Sequence, residues 1–125
     1  MAQAATKTTK PGPIVAVTTA IDRSYLEHMT FGDRNLEREV LQLFDRQAEL
    51  LIGRIRVSEP PVVAVLAHTL KGSALGIGAT NVARAAAATE LAASGGVAEC
   101  RLAVGRLAAA VEEARTTIAA LLHTD

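Results

Sequence analysis

Apolar residues recur every three or four positions along most of this 125-residue chain, which is the spacing of amphipathic helices. The pattern predicts a short first helix over about residues 20–29 and four longer ones. The longer helices are predicted over about residues 33–55, 59–77, 80–94 and 97–122. Strands would show an alternation of apolar and polar residues, and the chain carries no such pattern. The sequence therefore predicts an all-α fold.

Glycine, proline and short polar residues separate the predicted helices, because these residue types end or cap helices. Two prolines are tolerated in the first turn of a helix, where a missing N–H costs little. The predicted breaks and caps are Gly32 with the N-cap Asp33, the N-cap Ser58 followed by Pro60 and Pro61, Gly76 with Gly78, and the N-cap Thr80 or Asn81.

The long helices each show one apolar face. In the second helix the core face is predicted to hold Leu36, Val40, Leu43, Phe44, Leu50 and Leu51, and the solvated face Glu37, Arg38, Gln42, Arg46 and Glu49. In the fifth helix the stripe is Val97, Val104, Leu107, Val111, Ile118 and Leu121. Short connections force antiparallel neighbours, so we expect an up-and-down antiparallel four-helix bundle with a short additional N-terminal helix. Residues 1–19 are predicted to be a flexible N-terminal tail and residues 20–125 the bundle.

Composition narrows the class of protein. Half of the residues are apolar and only 2 % are aromatic, while 13 basic residues balance 13 acidic ones. A neutral chain with so few aromatic rings argues against nucleic-acid binding. The single cysteine, Cys100, fits a reducing compartment, and no apolar run approaches the roughly 20 residues of a membrane span. We expect a cytoplasmic monomer with no membrane segment and no metal site.

His68 is the candidate for chemistry, because the helical phase turns it away from the core. With each residue advancing about 100° around the axis, His68 falls about 240° from Val62. Burying the imidazole would expose Leu66 and Leu70. The predicted core stripe of this helix is Val62, Leu66, Leu70, Ser73 and Ile77.

The neighbours of His68 on its own face predict an accessible site. Lys71 and Gly72 lie one turn away, where Lys71 can offset negative charge beside the ring. A glycine inside a helix costs about 0.8–1 kcal/mol relative to alanine, and here it would leave space for an approaching group. Ala64 and Leu75 flank the imidazole, and with Lys71 they are predicted to form a docking surface for a partner.

The stretch from His68 to Ala79 resembles the signature of histidine-containing phosphotransfer (HPt) domains. In that pattern a phosphorylatable histidine is followed by an apolar residue, Lys-Gly and small residues, with a Gly-Ala pair just past the helix end. The residues that match are His68, Leu70, Lys71, Gly72, Ser73, Ala74, Gly78 and Ala79. The upstream stretch FGDRNLEREVLQLF is similar to the preceding helix of the family, and the resemblance spans roughly residues 21–122.

The resemblance implies a phosphocarrier of a multistep phosphorelay. His68 would accept a phosphoryl group from a receiver-domain aspartate and pass it to another receiver, with Lys71 and Gly72 flanking the ring. Several relatives place a polar residue on the next helix beside the ring, and by spacing Glu90 or a neighbour would stand there, where a carboxylate could orient the imidazole. The implied partners are response-regulator receiver domains and a hybrid sensor histidine kinase. No cofactor is expected on this chain, and Mg²⁺ is expected in the receiver.

Two other classes of protein remain open at this stage. One is a helical adaptor that docks on receivers without being phosphorylated. The other is an enzyme with its own histidine nucleophile, which would need a second acid–base residue and a substrate pocket. The chain has no phosphate-binding P-loop and no nucleotide-binding boxes of a sensor kinase, so autophosphorylation from ATP is not expected.

Overall fold

Five helices form the part of the chain that the structure describes. The structure is a computed structural model that describes residues 20–124, without the side chain of residue 124; the predicted tail, residues 1–19, and residue 125 lie outside the described residues. Residues 20–124 contain no strand. The helices are α1 (Arg23–Met29), α2 (Arg34–Arg56), α3 (Pro60–Ile77), α4 (Thr80–Ala92) and α5 (Val97–Thr124).

The four longer helices close into a bundle. Helix α2 packs on α3, α3 on α4, and α4 on α5, and α5 packs back on α2. The connections are residues 57–59, 78–79 and 93–96, so neighbours in sequence run antiparallel. The short helix α1 packs against α3. The all-α fold and the helical bundle predicted from the sequence are confirmed.

Helix α2 begins where its capping residue predicts. The Asp33 side chain accepts a hydrogen bond from the Leu36 backbone N–H at 3.1 Å, which satisfies one of the unpaired donors of the first turn. The prediction for the next boundary is wrong. Ser58 does not cap α3; its hydroxyl donates to the Arg54 carbonyl at 2.7 Å and so finishes α2, while Glu59 occupies the N-cap position.

A two-residue connection joins α3 to α4. Gly78 caps α3 with φ +78°, a left-handed conformation that favours glycine. Its carbonyl accepts a hydrogen bond from the Asp22 backbone N–H at 2.9 Å, which seats the start of α1 on this junction. The cap of α4 differs from the prediction, because Ala79 takes the N-cap position and Thr80 is already helical.

The core lies where the apolar stripes converge, but several predicted core residues point outward. Leu43 and Leu50 of α2 are exposed, because the buried face of this helix runs from Leu41 to Ile55 along a neighbouring row of residues. Val62 of α3 and Val97 of α5 are also exposed. The buried faces are Leu41, Phe44, Ala48, Leu51 and Ile55 on α2, Val63, Leu66, Ala67, Leu70, Ala74 and Ile77 on α3, and Cys100, Ala103, Leu107, Val111, Ala114 and Ile118 on α5.

Glu37 is the clearest failure of the sequence prediction. It was expected on the solvated face of α2, yet it is only 3 % exposed. Arg23 of α1 lies over it, with its Nε 3.7 Å from the Glu37 Oε2. The periodicity of α2 alone could not reveal this burial, because the covering group comes from the short helix α1.

We expect Gly78→Ala to destabilise the bundle by about 1–3 kcal/mol, the usual cost of a strained backbone position. An added Cβ would also lie 3.0 Å from the Asp22 carbonyl oxygen. Chemical denaturation measures the change in the free energy of unfolding. The matched control is Gly53→Ala, at a helical site with open space, which should stabilise by about 0.5–1 kcal/mol. Equal stability of Gly78→Ala and the original chain would contradict this account.

Candidate functional site

His68 lies near the middle of α3 with its imidazole turned outward. Its side chain is 66 % exposed, whereas Leu66 and Leu70 on either side of it in sequence are buried. The apolar residues therefore hold the helix in place and leave the ring accessible. This is the orientation that the helical periodicity indicates.

Glu90 of α4 contacts the imidazole directly. Its Oε2 lies 2.9 Å from the Nδ1 of His68, although the two residues are 22 positions apart in sequence. The short connection between α3 and α4 makes the two helices antiparallel, and this brings the two side chains to the same level. The family resemblance implied that Glu90 or a neighbour would lie beside the ring, and in the structure the Glu90 carboxylate contacts it.

Lys71 completes a chain of three polar side chains. Its Nζ lies 3.3 Å from the other carboxylate oxygen of Glu90, Oε1. Glu90 therefore accepts from Lys71 with one oxygen and from His68 with the other. The lysine was expected to offset negative charge that develops at the ring; in the structure its ammonium pairs with the Glu90 carboxylate, and its predicted effect on the ring stays a prediction.

The environment of Glu90 favours its charged form. Desolvation acts to raise the pKa of the carboxyl, but hydrogen bonds from Lys71 and His68, together with their charges, outweigh it and lower the pKa below its ordinary value. Since the pKa is lowered in the folded chain, the contribution of these contacts to stability is present above the ordinary pKa of the carboxyl. It is lost as the pH falls through the lowered value.

The contact with Glu90 assigns the two ring nitrogens different roles. A carboxylate only accepts hydrogen bonds, so the proton of the neutral ring lies on Nδ1 and is donated to Glu90. Nε2 then carries the lone pair, and it makes no hydrogen bond with any residue between 20 and 124. In its neutral form the ring thus presents Nε2 as its unprotonated nitrogen, and neutral imidazole is the form that acts as a nucleophile.

Space and apolar surface surround this nitrogen. A Cβ at Gly72, one turn from His68, would meet nothing within 4 Å. Leu75 is 54 % exposed and Ala64 is half-buried on the same side of α3. Sequence reasoning missed two further exposed apolar side chains, Val65 and Leu91. Val65 could have been found from its position three residues before His68. Leu91 gave no such signal, because adjacent residues of a helix do not share a face.

Other candidate chemistry is not brought together. Within residues 20–124 no group of three or more His, Cys, Asp or Glu side chains is placed to hold a metal ion. Cys100 is a free thiol that lies in the core. None of the helices in that range is both long and apolar enough to cross a membrane.

Comparison with known proteins identifies the fold. No protein-family model matches the chain, and no curated protein sequence matches it either. A solved structure does match: a rice protein described as a candidate histidine-containing phosphotransfer protein, at a TM-score of 0.75 and 18 % sequence identity. The match covers 89 % of this chain and 85 % of the rice chain.

The chain has an HPt fold. At 18 % identity the likeness concerns the path of the backbone, so the roles of the side chains have to be argued from this chain itself. The HPt fold agrees with the resemblance that the stretch around His68 carries. One observation rests on a short motif and the other on the arrangement of the whole bundle.

We expect Lys71→Met to raise the pKa of the Glu90 carboxyl, because the variant removes a hydrogen bond and a positive charge but keeps an unbranched side chain. Titration of the carboxyl carbon by NMR measures the change. Arg84→Met is the matched control, since Arg84 is an exposed cation on α4 with no contact to Glu90. An unchanged Glu90 pKa in Lys71→Met would show that the lysine does not act on this carboxylate.

Proposed function

We propose that this chain is a phosphocarrier of a multistep phosphorelay. Its His68 accepts a phosphoryl group on Nε2 from the aspartate of one receiver domain and passes it to the aspartate of another. The observation that carries the proposal is the 2.9 Å contact between Nδ1 and Glu90 on an HPt fold, because in the neutral ring it leaves Nε2 as the unprotonated nitrogen of an exposed side chain. The Lys71–Gly72 pair after the histidine supports the same conclusion.

The proposed transfer leaves the ring with a positive charge, which the site is built to balance. Nε2 attacks the phosphorus of an aspartyl phosphate, the P–O bond to the aspartate breaks, and that carboxylate leaves with the electron pair. The imidazole keeps its Nδ1 proton and becomes a cationic phosphoimidazolium. Glu90 accepts that proton in a hydrogen bond, so its negative charge lies beside the new positive charge. The return step reverses these bond changes with a second receiver.

Lys71 acts on the reaction through Glu90. The Lys71 ammonium holds Oε1 of the carboxylate, and this fixes the direction in which Oε2 meets the ring. Each oxygen of Glu90 therefore contacts one of the two neighbouring side chains, Oε2 the imidazole and Oε1 the ammonium. We propose that the Mg²⁺ of the reaction is supplied by the receiver domain and that this chain binds no cofactor of its own.

The surface around His68 is the proposed docking site for receiver domains and for a hybrid sensor histidine kinase. The apolar side chains of Leu75, Val65 and Ala64 border the imidazole on α3, and Leu91 follows Glu90 on α4. Apolar groups of this kind lose water when a partner covers them, and such groups form the centre of protein interfaces. We place this relay in the cytoplasm, with the chain acting as a monomer and without an ATP site.

The first test is transfer from a phosphorylated receiver domain in the presence of Mg²⁺. We expect the full-length chain to become labelled and the label to be acid-labile, as a P–N bond is. His68→Gln should remove the label, because the amide has no nucleophilic ring nitrogen, and should leave the helical content unchanged because the side chain is exposed. Circular dichroism provides that control.

Two results would contradict the phosphocarrier proposal. Label that persists in His68→Gln, or that survives acid, would assign the chemistry to another residue type. The second result is a chain that is never labelled and that binds receivers equally well with and without His68. Such a chain would be the adaptor that docks without phosphorylation.

The second test concerns the space beside the ring. We expect Gly72→Leu to slow phosphotransfer by tenfold or more, because a branched side chain one turn from His68 would obstruct an approaching receiver. Rapid-quench measurement of label transfer gives the rate. Gly105→Leu on α5 is the matched control, since its Cβ also meets open space and it lies on a different helix. Equal transfer rates in the two variants would show that the gap at Gly72 has no role.

A further inference from the structure

A second concave surface lies away from His68, at the end of the bundle where α3 begins. It is a groove of about 450 Å³ between the end of α2, the start of α3 and the first half of α5. Its apolar lining includes Ile55, Val63 and Val104, and the buried Cys100 also lines it. Charged and polar side chains line it as well, and a cavity of this size lies within the range of small-molecule sites.

The groove is distinct from the proposed phosphotransfer site. Val63 of α3 lines it, and Val63 lies about 140° around the helix axis from His68. The residues that line it do not include His68, Lys71, Gly72 or Glu90. An occupant of the groove would therefore leave the imidazole uncovered.

The charges of the groove indicate the kind of occupant. Arg56 of α2 and Arg101 of α5 line it, together with a single acidic residue, Glu59. Within residues 20–124 neither arginine forms an ion pair, in contrast to Arg115, which pairs with Asp45 at 2.8 Å. Two guanidinium groups without acidic partners beside an apolar wall suit an anion that carries a hydrocarbon chain.

We infer that this groove binds a free aliphatic carboxylate of medium chain length. The hydrocarbon chain lies against the aliphatic side chains of the groove, and the carboxylate accepts hydrogen bonds from Arg56 and Arg101. This inference goes beyond the proposed phosphotransfer and does not depend on it. It concerns a different surface and a different class of ligand.

Two other occupants from this chain fit the charges poorly. The segment 1–19 carries Lys7 and Lys10 and no acidic residue, so the arginines would repel it. A second copy placed groove to groove would set arginine against arginine. A small anion avoids both problems, and its hydrocarbon part gains from leaving water.

The test is titration of the full-length chain with octanoate, followed by calorimetry and by NMR shifts of Cys100, Val104 and Gly105. Hexanoate, which has two methylenes fewer, should bind about 15-fold more weakly, given the free energy of burying each methylene. Octan-1-ol should bind more weakly than octanoate, and octylammonium should not bind, because it presents the wrong charge to the arginines.

Variants then locate the site. Arg56→Gln and Arg101→Gln should each weaken octanoate at least tenfold while leaving octan-1-ol unchanged, since they remove a charge but keep a polar side chain. Gly105→Leu should also abolish binding by filling the groove; its Cβ meets no atom within 4 Å, so the fold is preserved. Gly53→Leu, at an equally open helical site outside the groove, should bind octanoate as the original chain does.

Four results would overturn the inference. The first is equal binding of octanoate, octan-1-ol and octylammonium, which would mean unspecific hydrophobic association. The second is octanoate binding that neither arginine variant changes. The third is binding that persists in Gly105→Leu with NMR shifts outside the groove. Absence of octanoate binding at millimolar concentration would also refute it.

Discussion

The hairpin of α3 and α4 is the constraint on which the candidate site depends. Its connection is only two residues long, and Gly78 turns the chain there in a left-handed conformation. His68 lies eleven residues before Ala79 and Glu90 eleven residues after it, so the antiparallel register brings them level. A longer connection would move Glu90 along the axis by about 1.5 Å for each residue of slip and break a 2.9 Å contact. The local chemistry of a glycine turn thus sets the geometry of a site about three helical turns away.

Small side chains between the two helices make this contact possible. Ala67 and Ala74 of α3 and Ala83 and Ala86 of α4 are buried, and helices that meet through alanines approach closely. A glutamate side chain is short, so it reaches the imidazole on the next helix only if the two backbones are close. The alanine-rich composition of α4 is therefore connected to the chemistry as well as to helix propensity.

The sequence predicts the framework of this molecule better than its details, for physical reasons that particular residues illustrate. Gly32, Asp33 and Gly78 act through local backbone geometry, so their effect on helix ends is visible in the sequence. The outward direction of His68 follows from the helical period of its own helix. The burial of Glu37 was not predictable in this way, because it depends on a side chain of another helix. The groove was not predictable either, because residues of three helices form its walls. The exposure of Leu43 and Leu50 has the same cause: apolar character alone does not determine whether a neighbouring helix covers a residue.

The charge balance at His68 bears on how a carrier with these residues would hold its phosphoryl group. Lys71 is a cation close to the ring, but its ammonium pairs with the Glu90 carboxylate. Among the three contacting side chains His68, Glu90 and Lys71, no cation is therefore left unpaired for the proposed phosphoryl group. In the proposed reaction Glu90 balances the charge of the cationic, phosphorylated ring. The phosphoryl oxygens are left to groups of the receiver, and weak retention of the phosphoryl group by this chain favours transfer onward. In the proposed reaction the chain therefore contributes orientation and one balanced charge, and the receiver contributes the groups that hold the phosphoryl group during transfer.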